Sequence, residues 1–316
     1  MNIKELKFGI NPIILINGIS RSGKAVVWYA VGSIEGLDVP QNHPFADWIT
    51  DTLNSGEISE STTSRLLALN FRIYSWYSFI GRNLNMKTID QSFFMKLSNE
   101  NDYIERDQRP DNNDSWLEFK KKWRTGEFIP CYTTDVERNL QNELQNYDLS
   151  FININCFRNP KKVFIEWCDT GRGSRYDELD RMGKFYFDFK DLNIPGFAYS
   201  YRDEWYKSSP QQRCFLAVSD HYNKTLYQDL SNDINIFFED FVQDPIKDLE
   251  NISSILNKNV KSDWEKRLQI MQVPRVLDSK YLDDPKKHID KLTIKQQDEL
   301  NELEDRYLKI KNEKQI

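Results

Sequence analysis

The most informative segment of the chain is residues 13–27, which read IILINGISRSGKAVV. The apolar run at residues 13–16 is typical of a buried parallel strand, and the chain turns at Gly18. A second glycine, Gly23, comes just before an apolar stretch that predicts a helix. A strand, a glycine-containing loop and a helix direct backbone N–H groups toward an anion. Residues 18–24 therefore predict a site for a phosphate-like group.

The residue types of this loop limit its chemistry. It matches the spacing Gly-x-x-x-x-Gly-Lys, and it carries two positive charges, Arg21 and Lys24. The residue after the lysine is Ala25, where magnesium-dependent kinases have a hydroxyl group that binds Mg²⁺. A magnesium-dependent P-loop kinase of a small molecule would lack this ligand. The alternative stays open because the carboxylates of Glu239 and Asp240 follow a later predicted strand.

Composition narrows the class of protein. The chain has 316 residues, of which 39% are hydrophobic, enough for a single large domain over residues 1–316. Its net charge of -6 argues against a nucleic-acid partner, which requires a basic surface. The four cysteines and three histidines show no metal-ligand spacing, so no metal site is expected. No apolar run approaches the roughly 18 residues of a membrane span, and no signal peptide begins the chain, so we expect a cytoplasmic protein.

The remaining pattern predicts an α/β fold, with a parallel sheet flanked by helices. Further strands are predicted at residues 128–132, 149–157 and 234–238, and helices at residues 59–80 and after Pro160, Pro210 and Pro245. Thr293 and Gln296 form a capping box that starts a C-terminal helix over residues 291–316. His43, in a segment rich in glycine and proline, is interpreted as polar surface.

Two long segments are interpreted as insertions that cap the site with helices and loops, residues 36–125 and 168–210. Within the first, residues 98–115 are so polar that they predict a solvated loop or a mobile lid. The second overlaps an aromatic-rich stretch at residues 171–209. Its aromatic side chains either cap the sheet or form a platform for a flat or sugar-like substrate. The two insertions would together shape the acceptor side of the site.

Three segments in order resemble the sulfotransferases that use 3′-phosphoadenosine 5′-phosphosulfate (PAPS). The loop at residues 18–24 resembles the family's 5′-phosphosulfate-binding loop. Residues 157–163, FRNPKKV, are similar to its second motif, whose arginine, here Arg158, binds the 3′-phosphate of the cofactor. Residues 238–245, FEDFVQDP, are similar to a late strand and helix start. The resemblance, which covers about residues 13–256, implies a P-loop-type sulfotransferase fold.

The resemblance also implies an activity. A sulfuryl group would move from PAPS to a hydroxyl or amine of an acceptor, leaving adenosine 3′,5′-bisphosphate (PAP), without a metal. Bacterial members of the family suggest a saccharide or glycolipid precursor as the acceptor. By position, the cofactor would be bound by Gly18, Ser20, Arg21, Ser22, Gly23, Lys24, Ala25 and Arg158, and by rough analogy Arg275. A fixed cation beside the leaving phosphate stabilises the transition state more than the ground state. Arg21 corresponds to the family's cation, and Lys24 is a second candidate.

The chain departs from the family pattern at two places. Where the second motif often has a serine that contacts the same phosphate, this chain has Glu166, so that role is not carried over. The strand predicted at residues 128–132 leads to Asp135, which is either the general base or the cap of the following helix. These departures leave a third possibility, a protein that binds a nucleotide without catalysis.

Overall fold

In this computed structural model the chain is built around a five-stranded parallel sheet with helices on both faces. The structure describes residues 12–88, 94, 98, 100–134, 136, 138–174, 186–228, 230–277 and 286–314. The strands of the sheet are β1 Ile13–Asn17, β2 Gln41–Asn42, β3 Cys131–Thr133, β4 Phe151–Phe157 and β7 Ile234–Phe237. Their order is β2-β3-β1-β4-β7. A separate antiparallel hairpin is formed by β5 Tyr186–Phe189 and β6 Leu192–Pro195.

The described helices connect and cover these strands. In chain order they are α1 Lys24–Val31, α2 Pro44–Asn54, α3 Glu60–Phe79, α4 Glu100–Asp107, α5 Asn113–Thr125, α6 Arg138–Leu144, α7 Pro160–Asp169, α8 Arg202–Lys207, α9 Pro210–Leu226, α10 Phe238–Phe241, α11 Pro245–Leu256, α12 Trp264–Gln269 and α13 Ile294–Lys314. A 3-10 turn at Gly196–Tyr201 follows β6. The predicted α/β fold is thus confirmed.

Strand β1 lies at the centre of the sheet because its apolar side chains can be buried on both faces. Ile14 and Ile16 pack on one face with α1, α11 and α12, while Ile13 and Leu15 pack on the other with α2, α3 and α6. All four isoleucine and leucine side chains are fully buried. Parallel pairing joins β1 to β3 on one side and to β4 on the other. The prediction for residues 13–17 is confirmed with the same bounds.

The strand predicted at residues 128–132 begins later, at Cys131. Pro130 has no N–H to donate, so it stands outside the ladder, although its carbonyl accepts a hydrogen bond from the Ile14 N–H at 2.9 Å. Phe128 and Ile129 are buried beside the sheet as an approach to the strand. Residues 128–130 are apolar because they are buried, and not because they belong to the strand.

The prediction of a solvated loop or lid at residues 98–115 is wrong. Helices α4 and α5 occupy most of this segment, and the Asn112 side chain caps α5 by accepting from the Ser115 N–H at 3.0 Å. Arg106, on α4, is buried and forms ion pairs with Asp38 at 2.7 Å and with Asp102 at 3.1 Å. The charges that suggested exposure are therefore partly used in a buried ion pair, which composition does not reveal.

His43 is also placed differently from the prediction, because it is fully buried at the start of α2. Its Nδ1 accepts a hydrogen bond from the Ala46 N–H at 3.2 Å, and its ring stacks on Tyr74 with centroids 4.1 Å apart. Burial lowers the pKa of His43 to about 4. The imidazole therefore caps a helix in its neutral form.

The C-terminal helix α13 begins with the predicted capping box. The Thr293 N–H donates to Gln296 Oε1 at 3.1 Å, and the Gln296 N–H donates to Thr293 Oγ1 at 3.3 Å. Leu300, Leu303 and Tyr307 are buried in the cluster that includes α7 and α9. No helix in the described part of the chain is long and apolar enough to cross a membrane.

The buried imidazole makes stability depend on pH in a defined window. Between pH 6.5 and about 4 the unfolded chain protonates this histidine and the folded chain does not, so unfolding becomes more favourable as pH falls. His43→Asn keeps a capping acceptor and removes the titration. We expect wild type to lose up to about 3 kcal/mol more unfolding free energy than this variant across the window. Urea unfolding at several pH values measures this, and parallel pH curves would contradict it.

Candidate functional site

The loop between β1 and α1 is shaped by backbone angles that favour glycine. Gly18 has φ +136° and Gly23 has φ +100°. A Cβ atom on Gly18 would lie 2.6 Å from the Cys156 carbonyl oxygen, and one on Gly23 would lie 2.4 Å from the ring of Phe238. Both glycines are therefore required by conformation and by close packing. Arg21, between them, has φ +78°, which is uncommon for a residue with a side chain.

Three side chains from outside the loop hold its backbone at three successive residues. The Ile19 N–H donates to Nε2 of His221 on α9 at 3.1 Å. Trp167, on α7, donates its indole N–H to the Ser20 carbonyl at 2.7 Å. Arg158, at the end of β4, donates to the Arg21 carbonyl at 3.0 Å. The loop is thus positioned by residues that are remote from it in sequence, which favours preorganised binding.

Helix α1 begins directly after this loop and suits an anion. Its N-cap residue, Gly23, makes no side-chain capping hydrogen bond, and its first turn has no acidic residue. The first N–H groups of a helix lack acceptors within the helix and carry a partial positive charge. The N-terminal end of α1 therefore has the partial positive charge that favours binding of a phosphate.

A cluster of arginines around Phe238 adjoins the loop. The Arg158 guanidinium carbon lies 4.7 Å from the centroid of the Phe238 ring, and that of Arg275 lies 5.8 Å from it. The ring itself covers Gly23. The structure thus brings together three of the residues named from sequence, Arg158, Arg275 and the loop glycine.

Glu166 places a negative charge inside this cluster. One of its carboxylate oxygens lies 2.7 Å from Nη2 of Arg158, and the other lies 4.0 Å from Nε of Arg21. Glu166 therefore pairs with the two arginines. A ligand phosphate that approached Arg158 would meet this carboxylate and would have to displace it.

The residues present fit PAPS at one end more simply than at the other. At the 5′ end, the loop and the start of α1 offer backbone donors, with Arg21 and Lys24 beside them. Ser22 is buried and its hydroxyl has no hydrogen-bond partner within the described residues. At the 3′ end, Arg158 already has Glu166 and the Arg21 carbonyl as partners. The fit there requires the Glu166 side chain to move.

Lys24, the second cation of the loop, lines a cavity of about 420 Å³. Ser20 of the loop lines the same cavity, together with Trp167 of α7 and His221 of α9. The two loop cations are thereby divided, since Arg21 lies beside Glu166 while Lys24 lines the cavity.

The structure adds residues that sequence reasoning did not assign and leaves one prediction open. Asp135 lies outside the described residues, so its role stays a prediction. His221 and Trp167 received no role from the sequence, because only the fold brings them to the loop. Of the aromatic stretch at residues 171–209, Trp205 is fully buried and Phe197 lines the cavity. Trp205 therefore belongs to the core, whereas a substrate platform that includes Phe197 stays a prediction.

The carboxylates considered for a kinase have other partners. Glu239 accepts hydrogen bonds from the Asn159 N–H at 3.1 Å and from the Tyr307 hydroxyl. Asp240 forms an ion pair with Lys311 of α13 at 2.7 Å. Within the described residues, no group of three or more histidine, cysteine or carboxylate side chains is arranged to hold a metal ion. Glu239 and Asp240 thus connect the end of β7 to α7 and α13.

The hydrogen bond from Ile19 to His221 is open to a direct test. His221→Gln keeps an acceptor at a similar reach, whereas His221→Leu leaves the buried Ile19 N–H without a partner. We expect the exchange of the Ile19 amide hydrogen to be at least about fivefold faster in the leucine variant, because one lost hydrogen bond is worth about 1 kcal/mol. NMR-detected exchange measures it. Equal rates in the leucine and glutamine variants would contradict the proposed anchoring.

Comparison with known proteins finds similarity to solved structures but not to curated sequences. No protein-family model matches the chain, and no curated protein sequence matches it significantly. The sulfotransferase domain of the Synechococcus PCC 7002 olefin synthase aligns with 96% of this chain and 97% of its own, at 14% identity and a TM-score of 0.43. Sulfotransferase STF9 from Mycobacterium avium aligns with 98% of this chain and 78% of its own, at 11% identity and a TM-score of 0.43. For STF1 from Mycobacterium tuberculosis H37Rv the shares are 89% and 76%, at 10% identity and a TM-score of 0.34. This chain is therefore similar, at low sequence identity, to bacterial sulfotransferase domains over most of its length.

Proposed function

We propose that this chain is a sulfotransferase that moves a sulfuryl group from PAPS to a hydroxyl or amine of an acceptor. The observation that supports this most is the division of the two loop cations. Arg21 lies beside the cluster of Arg158 and Glu166, and Lys24 lines the cavity. A group transferred at the loop would lie near both the anion-binding residues and a cavity for its acceptor. A saccharide or glycolipid precursor is the acceptor class that we propose.

The proposed donor site consists of the loop and the neighbouring arginine cluster. PAPS would supply the activated sulfuryl group. Its 5′ end would be bound by Gly18, Ser20, Arg21, Ser22, Gly23, Lys24 and Ala25, and its 3′-phosphate by Arg158 and Arg275. Arginine suits the phosphate because its planar guanidinium donates two parallel hydrogen bonds. Phe238 would keep the Arg158 side chain in place through their stacking.

Lys24 and Arg21 are the proposed catalytic cations. Negative charge develops on the leaving phosphate during transfer, so a cation fixed beside it stabilises the transition state. Lys24 is the better placed of the two for the transferred group, because it shares the cavity with Ser20. Arg21 would balance the charge near Glu166. Asp135 remains the proposed general base for the proton of the acceptor.

Metal dependence distinguishes the proposed activity from a P-loop kinase. A kinase would require Mg²⁺ bound in part by a hydroxyl at the position of Ala25. We expect sulfuryl transfer from PAPS to a panel of saccharides to persist in EDTA, with PAP as the product. Transfer from ATP that EDTA abolishes would contradict the proposal and favour the kinase.

Glu166 gives the proposal its sharpest binding test, because its carboxylate competes with a ligand phosphate for Arg158. We expect Glu166→Gln to bind PAP about tenfold more tightly than wild type, since one uncharged partner replaces a charge-assisted one worth about 1.5–3 kcal/mol. Isothermal titration measures this. Glu105→Gln is the matched control, because Glu105, on α4, pairs with Arg109 just beyond the end of that helix.

Three outcomes of that titration, and a fourth that also needs a turnover assay, are informative. Tighter binding in Glu166→Gln with no change in Glu105→Gln supports the donor site. Weaker binding in Glu166→Gln would mean that the carboxylate assists the ligand and would contradict the proposal. Failure of wild type and both variants to bind PAP at about millimolar concentration would remove the sulfotransferase function. Binding without turnover would favour the non-catalytic alternative, which the Arg158–Glu166 ion pair also accommodates.

A further inference from the structure

The floor of the cavity is an unusual part of the sheet, because it is made of carboxamides. Asn17 on β1 donates from Nδ2 to Oδ1 of Asn153 at 3.0 Å and to Oδ1 of Asn155 at 3.4 Å, both on β4. Gln141, on α6, exchanges hydrogen bonds with Asn153 at 3.1 and 3.2 Å. Alternate residues of a strand point to the same face, so Asn153 and Asn155 lie side by side.

This polar row interrupts a face of the sheet that is otherwise apolar. On one side, Ile13, Leu15 and Phe151 belong to the cluster with α2, α3 and α6. On the other, Phe157 and Phe237 belong to the cluster with α7, α9 and α13. Burying amides is costly unless their hydrogen bonds are made, whereas apolar residues here would join the two clusters. The row keeps a polar cavity open between them.

The cavity contains two acceptor groups to which no donor among the described residues forms a hydrogen bond. Asn17 Oδ1 is buried and accepts no hydrogen bond within the described residues. The carboxylate of Asp51, on α2, also lines the cavity, and no hydrogen bond to it is formed in the described part of the chain. Burial, together with the nearby charge of Asp47, raises the pKa of Asp51 to about 7. A ligand with O–H donors would satisfy both acceptors.

The walls add an apolar surface and a charge preference. The rings of Trp167 and Phe197 lie edge to face with centroids 6.4 Å apart, and both line the cavity. Such rings pack against the C–H face of a sugar ring while their neighbours bind its hydroxyls. Among the described residues, four carboxyl groups line the cavity, those of Asp47, Asp51, Asp220 and Asp233. Three cations also line it, and Lys224 pairs with Asp220 at 2.9 Å. With Asp51 only partly ionised near pH 7, these described charges nearly cancel and give no net attraction for a phosphorylated or sulfated sugar.

We propose that this cavity binds a neutral, hydroxyl-rich sugar ring, with the Asp51 carboxylate accepting a hydrogen bond from one of its hydroxyls. The inference deepens the proposed function, since it rests on that function for calling the sugar an acceptor. The binding site itself stands on the amide floor, the unsatisfied acceptors and the aromatic wall. Ser20 and Lys24, which line the same cavity, would then lie next to the bound sugar.

Alanine methyl groups report on this cavity without the need for turnover. The chain has six alanines, of which Ala217 lines the cavity and Ala30 is buried on the opposite face of the sheet. The probes are methyl glucoside, methyl mannoside and methyl N-acetylglucosaminide, titrated into protein with ¹³C-labelled alanine methyls. We expect at least one glycoside to shift the Ala217 signal and to leave Ala30 unchanged. No shift of Ala217 with any probe up to about 100 mM, or shifts confined to other alanines, would overturn the proposal.

Variants of Asp51 test its contact with the sugar. We expect Asp51→Ala to weaken binding of the glycoside at least tenfold and the isosteric Asp51→Asn, which keeps an oxygen acceptor, to weaken it about threefold. Asp203→Asn is the control, since Asp203 is exposed on α8 outside the cavity. Wild-type affinity in Asp51→Ala would overturn the contact.

Titration of PAP into the same samples separates this inference from the function on which it rests. Unchanged PAP affinity in the Asp51 variants, together with lost glycoside binding, supports the inference. Glycoside binding at Ala217 without PAP binding to wild type would leave the sugar site standing and remove the sulfotransferase function. Loss of both ligands in Asp51→Ala, with both retained in Asp51→Asn, would indicate a structural role for Asp51 and contradict the inference.

Discussion

The hydrogen bonds that hold the backbone of residues 19–21 are the constraint on which this site depends. A glycine-containing loop has many conformations, and a binding loop must lose them before it meets its ligand or pay for them on binding. Here the loop is restrained by His221, Trp167 and Arg158, which come from a helix, another helix and a strand end. The same packing that joins β1, β4, α7 and α9 therefore positions the anion site.

Arg158 connects this constraint to electrostatics, because one guanidinium serves three purposes. It holds the Arg21 carbonyl, stacks on Phe238 and carries the charge that a phosphate would seek. Glu166 balances that charge in the structure described here. The Glu166 carboxylate lowers the repulsion between Arg21 and Arg158. A phosphate ligand would have to displace this carboxylate from Arg158. Lys24 has a different charge environment, because it lines a cavity rich in carboxylates and amides.

Much of the fold could be predicted from local sequence patterns. Four consecutive apolar residues and Gly18 were enough to place β1 and its loop, and proline positions gave the starts of α7, α9 and α11. The errors come from interactions between distant residues. Arg106 is buried because Asp38 lies nearby in space, and His43 is buried because Tyr74 and α2 enclose it. For the same reason, only part of the candidate site can be recognised from the sequence. Arg158 follows a recognisable motif, whereas His221 and the row of Asn17, Asn153 and Asn155 become a site only after the strands are paired.

The central claim is that the loop and the arginine cluster bind PAP, with Glu166 yielding its place on Arg158. A crystal structure of the protein with PAP tests this most directly. The account predicts one phosphate at the start of α1, on the loop between Gly18 and Lys24, and the other on Arg158, with the Glu166 carboxylate moved beyond hydrogen-bond distance of that arginine. A PAP molecule bound elsewhere, with the Arg158–Glu166 ion pair intact at its present 2.7 Å, would contradict the account.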